Sequence, residues 1–266
     1  MHSSFHFSGT QVLWTLNFAA ELVLLVVLLG RDRMRRFPWF TTSIVLFALR
    51  LLAEKLLADR TAPLLYQEII LVMSDVAVIV GLLVLVEVAR RAFTGAKRSM
   101  WIVNTTGLLL MAGGVLWALG SWPALNDLAL NSLLGKLKLM QLLAVKGEML
   151  VSLLTMQLGL LVLLFGRKFK AGWRSHTQQI VIGLSTMAIT LLTLQQTILT
   201  IIKSSHPHTQ EEYQRLVGFL SKLSNATSLV YVAVLVWWIV WLWLDEPGTA
   251  ETHATETAEE PKASKD

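Results

Sequence analysis

Five ionisable side chains fall inside stretches that are otherwise apolar. Glu21 lies in VLWTLNFAAELVLLVVLL, Arg50, Glu54 and Lys55 in the segment opening at Trp39, and Asp75 in the segment ending at Ala89. At about 1.5 Å per helical residue, Glu21 is about 12 Å from the Leu29 end of its segment and Arg50 about 16 Å from Trp39. Those are similar depths in a hydrocarbon core roughly 30 Å thick. A lone charge at such a depth is costly and is remedied by pairing, so a Glu21–Arg50 ion pair is expected. Glu54 and Asp75 both fall roughly 21 to 22 Å from the same boundary. Arg50 and Glu54, four residues apart, share one helix face.

Uncharged polar groups join these acids and bases. Asn17 precedes Glu21 by four residues, Gln157, Gln195 and Gln196 lie in later apolar stretches, and Asn225, Ser228 and Tyr231 follow at three-residue steps. The expectation is an outward-facing polar pocket that binds a small ligand through Glu21, Arg50, Glu54, Asp75, Gln157, Gln196, Asn225 and Tyr231. The blander reading is that these groups bond one another and fix the packing of helices, although charges in lipid are usually functional. Three acids (Glu21, Glu54, Asp75) stand against two bases (Arg50, Lys55), and Asp75 is the acid left unmatched. It would bind a proton or a cation, recognise a cationic ligand, or simply carry a proton. Glu87 with Arg90 and Arg91 reads as a local ion pair, with a conformational latch as the sharper alternative.

The elements that position these residues follow from composition. Of 266 residues, 54% are hydrophobic and 15% charged, with ten Trp. Only helices and closed barrels satisfy their backbone in lipid, and the apolar runs lack the alternation of barrel strands. The fold class is therefore all-α, a polytopic seven-transmembrane-helix bundle over residues 1–244. The expected spans are Val12 to Leu29, Trp39 to Leu57, Ile69 to Ala89, Met100 to Leu119, Gly147 to Phe165, Thr177 to Ile202, and Leu220 to Leu244. Basic residues cluster in the connections after spans one, three and five (Arg31 to Arg36; Arg90, Arg91, Lys97, Arg98; Arg167 to Arg174), which predicts an N-terminus outside and a C-terminus inside. Leu130, Leu133, Leu134 and Leu137 share one helical face, suggesting a surface helix over about residues 125–141, or an early start of span five. Residues 245–266 read as a disordered acidic cytoplasmic tail.

The same residues exclude much chemistry. There is no cysteine, which removes disulfides and thiolate sites. Lys222 lies at the outer mouth of the last span, where it cannot serve a retinal. His2, His6, His176, His206, His208 and His253 fall outside the spans and read as solvated loop histidines, so no metal site is expected. No phosphate loop or nucleophile elbow is present. The chain is expected not to be an enzyme and to need no cofactor. Trp237, Trp238, Trp241 and Trp243 read as an interfacial aromatic belt.

Leu29-Gly30-Arg31 and Phe165-Gly166-Arg167 close two spans of the same direction, a weak echo of a three-one-three parallel repeat. Arg36-Phe37-Pro38-Trp39-Phe40-Thr41, Glu87-Val88-Ala89-Arg90-Arg91 and Gly172-Trp173-Arg174-Ser175-His176-Thr177-Gln178-Gln179 resemble a set of uncharacterised seven-span bacterial membrane proteins. The resemblance implies the fold and no activity. The first functional expectation is a receptor-like or sensory module in a bacterial inner (plasma) membrane, multi-pass, acting through a separate protein partner on the cytoplasmic side. The alternatives are a small transporter and a structural subunit of a membrane complex. The partners expected are the lipid bilayer and a small-molecule or ion ligand, with no nucleic acid.

Overall fold

The apolar segments fold as helices because a helix in hydrocarbon satisfies its own backbone hydrogen bonds. A computed structural model describes residues 9–58, 60–93, 107, 109, 111–115, 132–165, 175–205 and 209–245. Its helices are α1 (Gly9–Gly30), α2 (Arg33–Arg36), α3 (Pro38–Leu57), α4 (Pro63–Ala92), α5 (Leu133–Phe165), α6 (His176–Ser204) and α7 (Gln210–Trp243). Residues 107, 109 and 111–115 are also helical, and no strand occurs among the described residues. Local signals set the starts. Pro38 and Pro63 open α3 and α4, where the missing N–H costs nothing. Ser175 Oγ accepts from the Gln178 N–H at 3.3 Å and Thr209 Oγ1 from the Glu212 N–H at 3.3 Å, capping α6 and α7.

Five of these helices, α1, α4, α5, α6 and α7, are long and apolar enough to cross a membrane. Their outward faces carry large apolar side chains such as Val26 (66% exposed) and Leu164 (65%), a liability in water and the ordinary condition of a lipid-facing helix. The protein is an all-helical, multi-pass membrane protein. Helix α3 is 20 residues long and carries Arg50, Glu54 and Lys55. The expected fourth span lies outside the described residues, apart from the helical positions noted above. So do residues 125–131, residues 246–266, and the bases at 97, 98, 167, 168, 170 and 174.

Residues 133–141 are the first turns of α5 and not a separate surface helix. No proline stands between Ser132 and Phe165 to end a helix, so the amphipathic stretch runs straight into the apolar one.

Contacts close the long helices into a ring in the order α1, α3, α4, α5, α6, α7 and back to α1. Neighbours in sequence are antiparallel: Trp14 reaches Leu51 O, Phe40 N reaches Glu87, Ser185 reaches Thr155 O, and Trp238 reaches Gln179 O. Two seams are parallel. Gly81 faces Val151 as Val78 faces Gly147, and Glu21 meets Tyr231 as Arg31 meets Asp245. The ring is thus two three-helix groups, α1-α3-α4 and α5-α6-α7, joined along α4–α5 and α7–α1. Cross-ring contacts match as well: α4 touches α6, and α3 touches α7 through Phe40–Trp238 and Phe47–Tyr231.

Packing is tightest at one end, where α1, α4 and α7 finish and α3 and α6 begin. Leu24, Leu28, Phe37, Phe40, Ile44 and Val88 are at most 1% exposed there. Lipid gives helices no hydrophobic drive to associate, so close packing and hydrogen bonds hold this core. A Cβ on Gly183 would run into the Trp238 indole, and the indole Nε1 donates to Gln179 O at 3.3 Å. Trp238, 2% exposed, is therefore core and not part of a lipid-facing belt. A polar clasp closes the same end: Arg31 and Arg33 each lie 3.4 Å from Asp245, and His176 Nε2 lies 3.0 Å from Leu244 O. His176 is 1% exposed, which corrects the expectation of a solvated loop histidine. The other five histidines lie outside the described residues.

Candidate functional site

A cavity of about 350 Å³ occupies the middle of the ring, walled by α3, α4, α5, α6 and α7. Phe40, Ile44 and Trp238 floor it at the tightly packed end, Phe47 and Tyr231 stand midway, and Arg50 and Glu148 are the charged residues on its wall. Most of the lining is apolar, and the few polar groups converge, which is the usual make-up of a small-molecule site.

The helix registers put the two charges at one level. Phe40 bonds Glu87, so ten residues further along the antiparallel pair Arg50 stands opposite Ala77. The Val78–Gly147 and Gly81–Val151 contacts then bring Ala77 level with the turn holding Glu148. Arg50 Nε donates to Glu54 Oε1 at 3.0 Å, within the helix face that their four-residue spacing makes them share. Glu148 is accessible and makes no hydrogen bond among the described residues, so the cavity wall carries an open carboxylate.

The expected Glu21–Arg50 pair does not form. Glu21, 0% exposed, accepts a 2.7 Å hydrogen bond from the Tyr231 hydroxyl, and its Oε2 has no partner. The reason is geometric. Counted from the shared connection, Glu21 comes level with Phe47, about one turn short of Arg50. The Tyr231 ring packs edge-on to Phe47 at 6.4 Å between centroids, which delivers its hydroxyl to Glu21. Tyr231 therefore bridges the cavity, which its ring helps to line, and a buried acid on α1.

The other expected site residues separate. Of the eight, Arg50 and Tyr231 line the cavity. Glu54 reaches it only through Arg50. Asp75 is half-buried beside the lining Ser74, and its Oδ1 has no hydrogen-bond partner. Gln157 Oε1 and Gln196 Nε2 are likewise without partners, and Gln196 faces a cleft formed by α6 alone. Asn225 is half-buried on α7, away from the cavity lining. The charge count also changes, because Glu148 adds a fourth acid and Lys55 is exposed. Glu148 was hidden by the expected start of span five at Gly147. In the 33-residue α5 it is mid-helix, on a face with Ala144, Ser152 and Thr155 whose spacing was legible in the sequence.

At the packed end Glu87, 9% exposed, does more than pair locally. Its Oε2 accepts the Phe40 backbone N–H at 3.0 Å and so caps the start of α3 from a neighbouring helix, while Arg91 lies 4.0 Å away and stacks over Phe37 at 4.8 Å. A carboxylate there complements the positive end of the α3 dipole. Comparison of the chain with family models, with curated proteins and with solved structures found no match.

Proposed function

We propose that the chain is a small three-one-three membrane transporter with seven spans. The observation that carries this reading is the position of the cavity, between two three-helix groups whose two seams are both parallel. Parallel repeats about an axis along the membrane normal, with the substrate site at their interface, are a recurrent transporter plan. The parallel α4–α5 seam supports the span count: the chain between Phe93 and Ser132 joins the clasped end of the bundle to the opposite end. The sequence echo supports it in part. Thr41, Ile44 and Val45 recur as Thr177, Ile180 and Val181 at the same offset as Gly30 and Gly166, and Ile44 and Ile180 are both core. On α1 and α5 the burial does not follow that offset, since Leu24 and Leu28 are buried while Leu160 and Leu164 are exposed.

The clasped end carries Arg31, Arg33, Arg35, Arg36, Arg90 and Arg91 and faces the cytoplasm by the positive-inside rule, in a bacterial inner membrane with the N-terminus outside. The cavity is then sealed inward and takes its ligand from the outer side. A receptor-like module is the second reading, favoured by Asp245 and Leu244. They tie the cytoplasmic end of the cavity-lining α7 to α1, α2 and α6, a path by which occupancy would reach a separate partner. A structural subunit would have no use for an open carboxylate on a cavity wall.

The test is uptake into proteoliposomes of three probes sharing one apolar body: phenylbutyltrimethylammonium, phenylbutanesulfonate and phenylbutanol. Protein-dependent, saturable uptake of either charged probe, lost when Ala188→Trp fills the cavity, supports transport. Saturable binding without uptake moves the receptor reading ahead, and the absence of both sinks the two together.

A further inference from the structure

The donors and acceptors on the cavity wall select a ligand class. Of the seven hydroxyls there, four have already spent their hydrogen on their own helix: Ser43 donates to Phe40 O (2.7 Å), Ser74 to Ile70 O (2.9 Å), Thr155 to Val151 O (2.6 Å) and Thr227 to Leu223 O (3.1 Å), while Ser152 and Ser228 make no hydrogen bond among the described residues. Tyr231 donates to Glu21 and Trp238 Nε1 to Gln179 O. The five bonded hydroxyls therefore present lone pairs to the cavity and not hydrogens. The charges point the same way. The Arg50 charge is matched by Glu54 at 3.0 Å, Glu148 has no ion-pair partner within 4.0 Å among the described residues, and Asp75 adds a further acid next to the lining Ser74. Lys146, the nearest base in the sequence to Glu148, is not on the cavity wall. On the wall itself, with Arg50 paired to Glu54, the Glu148 carboxylate is the one negative charge left over, in a low-dielectric enclosure where it acts strongly. The walls beneath it, Phe40, Phe47, Tyr231 and Trp238, are aromatic, and their ring faces attract cations.

We propose that the cavity recognises an apolar body bearing a single positive charge, with the charged head at Glu148 and the body against the aromatic floor. The terminal nitrogens of Arg50, which carry no hydrogen bond among the described residues, and the unspent hydroxyls of Ser152 and Ser228 are the features that would suit an anion. Glu54 already neutralises that guanidinium, so an anionic head would meet the uncompensated Glu148. The proposal rests on the cavity being a ligand site, as the transport reading requires, and goes beyond it in fixing the head group.

The same three probes decide it, now by equilibrium binding to purified protein in nanodiscs, with the alcohol correcting for partition into lipid. The trimethylammonium compound is expected to bind about tenfold or more tighter than the alcohol, and the sulfonate weakest. Glu148→Gln should bring the cation down to the alcohol's affinity. Equal affinities for cation and alcohol, a preference for the sulfonate, or an undiminished cation preference in E148Q overturns the head-group assignment while leaving the cavity as a site. Failure of all three probes to bind removes the site itself. Should E148Q not fold, the order of the three probes on the wild-type protein still decides.

Discussion

Replacing Tyr231 by Phe isolates the hydrogen bond by which α7 holds Glu21 of α1. The ring and its edge contact with Phe47, 6.4 Å between centroids, stay in place, and only the hydroxyl that donates to Glu21 at 2.7 Å is lost. Hydrogen bonds between membrane helices average only ~0.6 kcal/mol, with a maximum near ~1.7, because the inserted unfolded chain finds other partners. One-sided loss of a bond to a charged acceptor in a folded core costs about 1.5 to 3 kcal/mol. Glu21 is wholly buried and its other oxygen already lacks a partner, so loss of the hydroxyl leaves the carboxyl without a hydrogen bond among the described residues. We therefore predict a loss near the top of the membrane range, about 1.5 kcal/mol, measured by steric trapping or by equilibrium unfolding in mixed micelles. Glu21→Gln, which keeps an acceptor, should lose less. The cycle of Y231F with Glu21→Leu should show coupling of about 1 kcal/mol, whereas Glu21→Leu with Arg50→Met should be additive. Additivity of the first pair within about 0.5 kcal/mol would refute the bond, and coupling in the second pair would restore the Glu21–Arg50 pair expected from sequence.

Three further outcomes are expected. A Cβ on Gly147 would stand 2.6 Å from Val78 Cγ1, so Gly147→Leu should destabilise the protein by about 1 to 3 kcal/mol and Val78→Ala should recover part of that loss; an unchanged thermal midpoint in G147L would mean that α4 and α5 do not cross there. Glu87→Ala should cost about 1 to 2 kcal/mol by uncapping α3 and speed hydrogen exchange at Trp39 and Phe40 before the rest of the bundle; uniform exchange along α3 would exclude the cap. Asp75→Asn should not lower the thermal midpoint, because its Oδ1 has no bond to lose; a marked drop would reveal a partner.

Sequence by itself determined the helical class, the membrane setting and the boundaries of α1, α3 and α6 to within a few residues, because apolar length and end signals are properties of a single segment. It also put Arg50 and Glu54 on one helix face, where the structure pairs them. It misjudged the relations that depend on which face meets which neighbour. Equal depth suggested a Glu21–Arg50 bond, but Glu21 bonds the Tyr231 hydroxyl of α7 and Arg50 bonds Glu54 on its own helix. The start of α5 was set too late, since no local signal marks where an amphipathic turn becomes a spanning one, and Glu148 was lost with it. Glu87 capping α3, Trp238 in the core, His176 under Leu244 and the cavity with its open carboxylate were decided by tertiary structure alone. Each is a contact between side chains or backbone groups dozens of residues apart, and such contacts are fixed by how helices rotate and cross, which spacing along one chain does not encode.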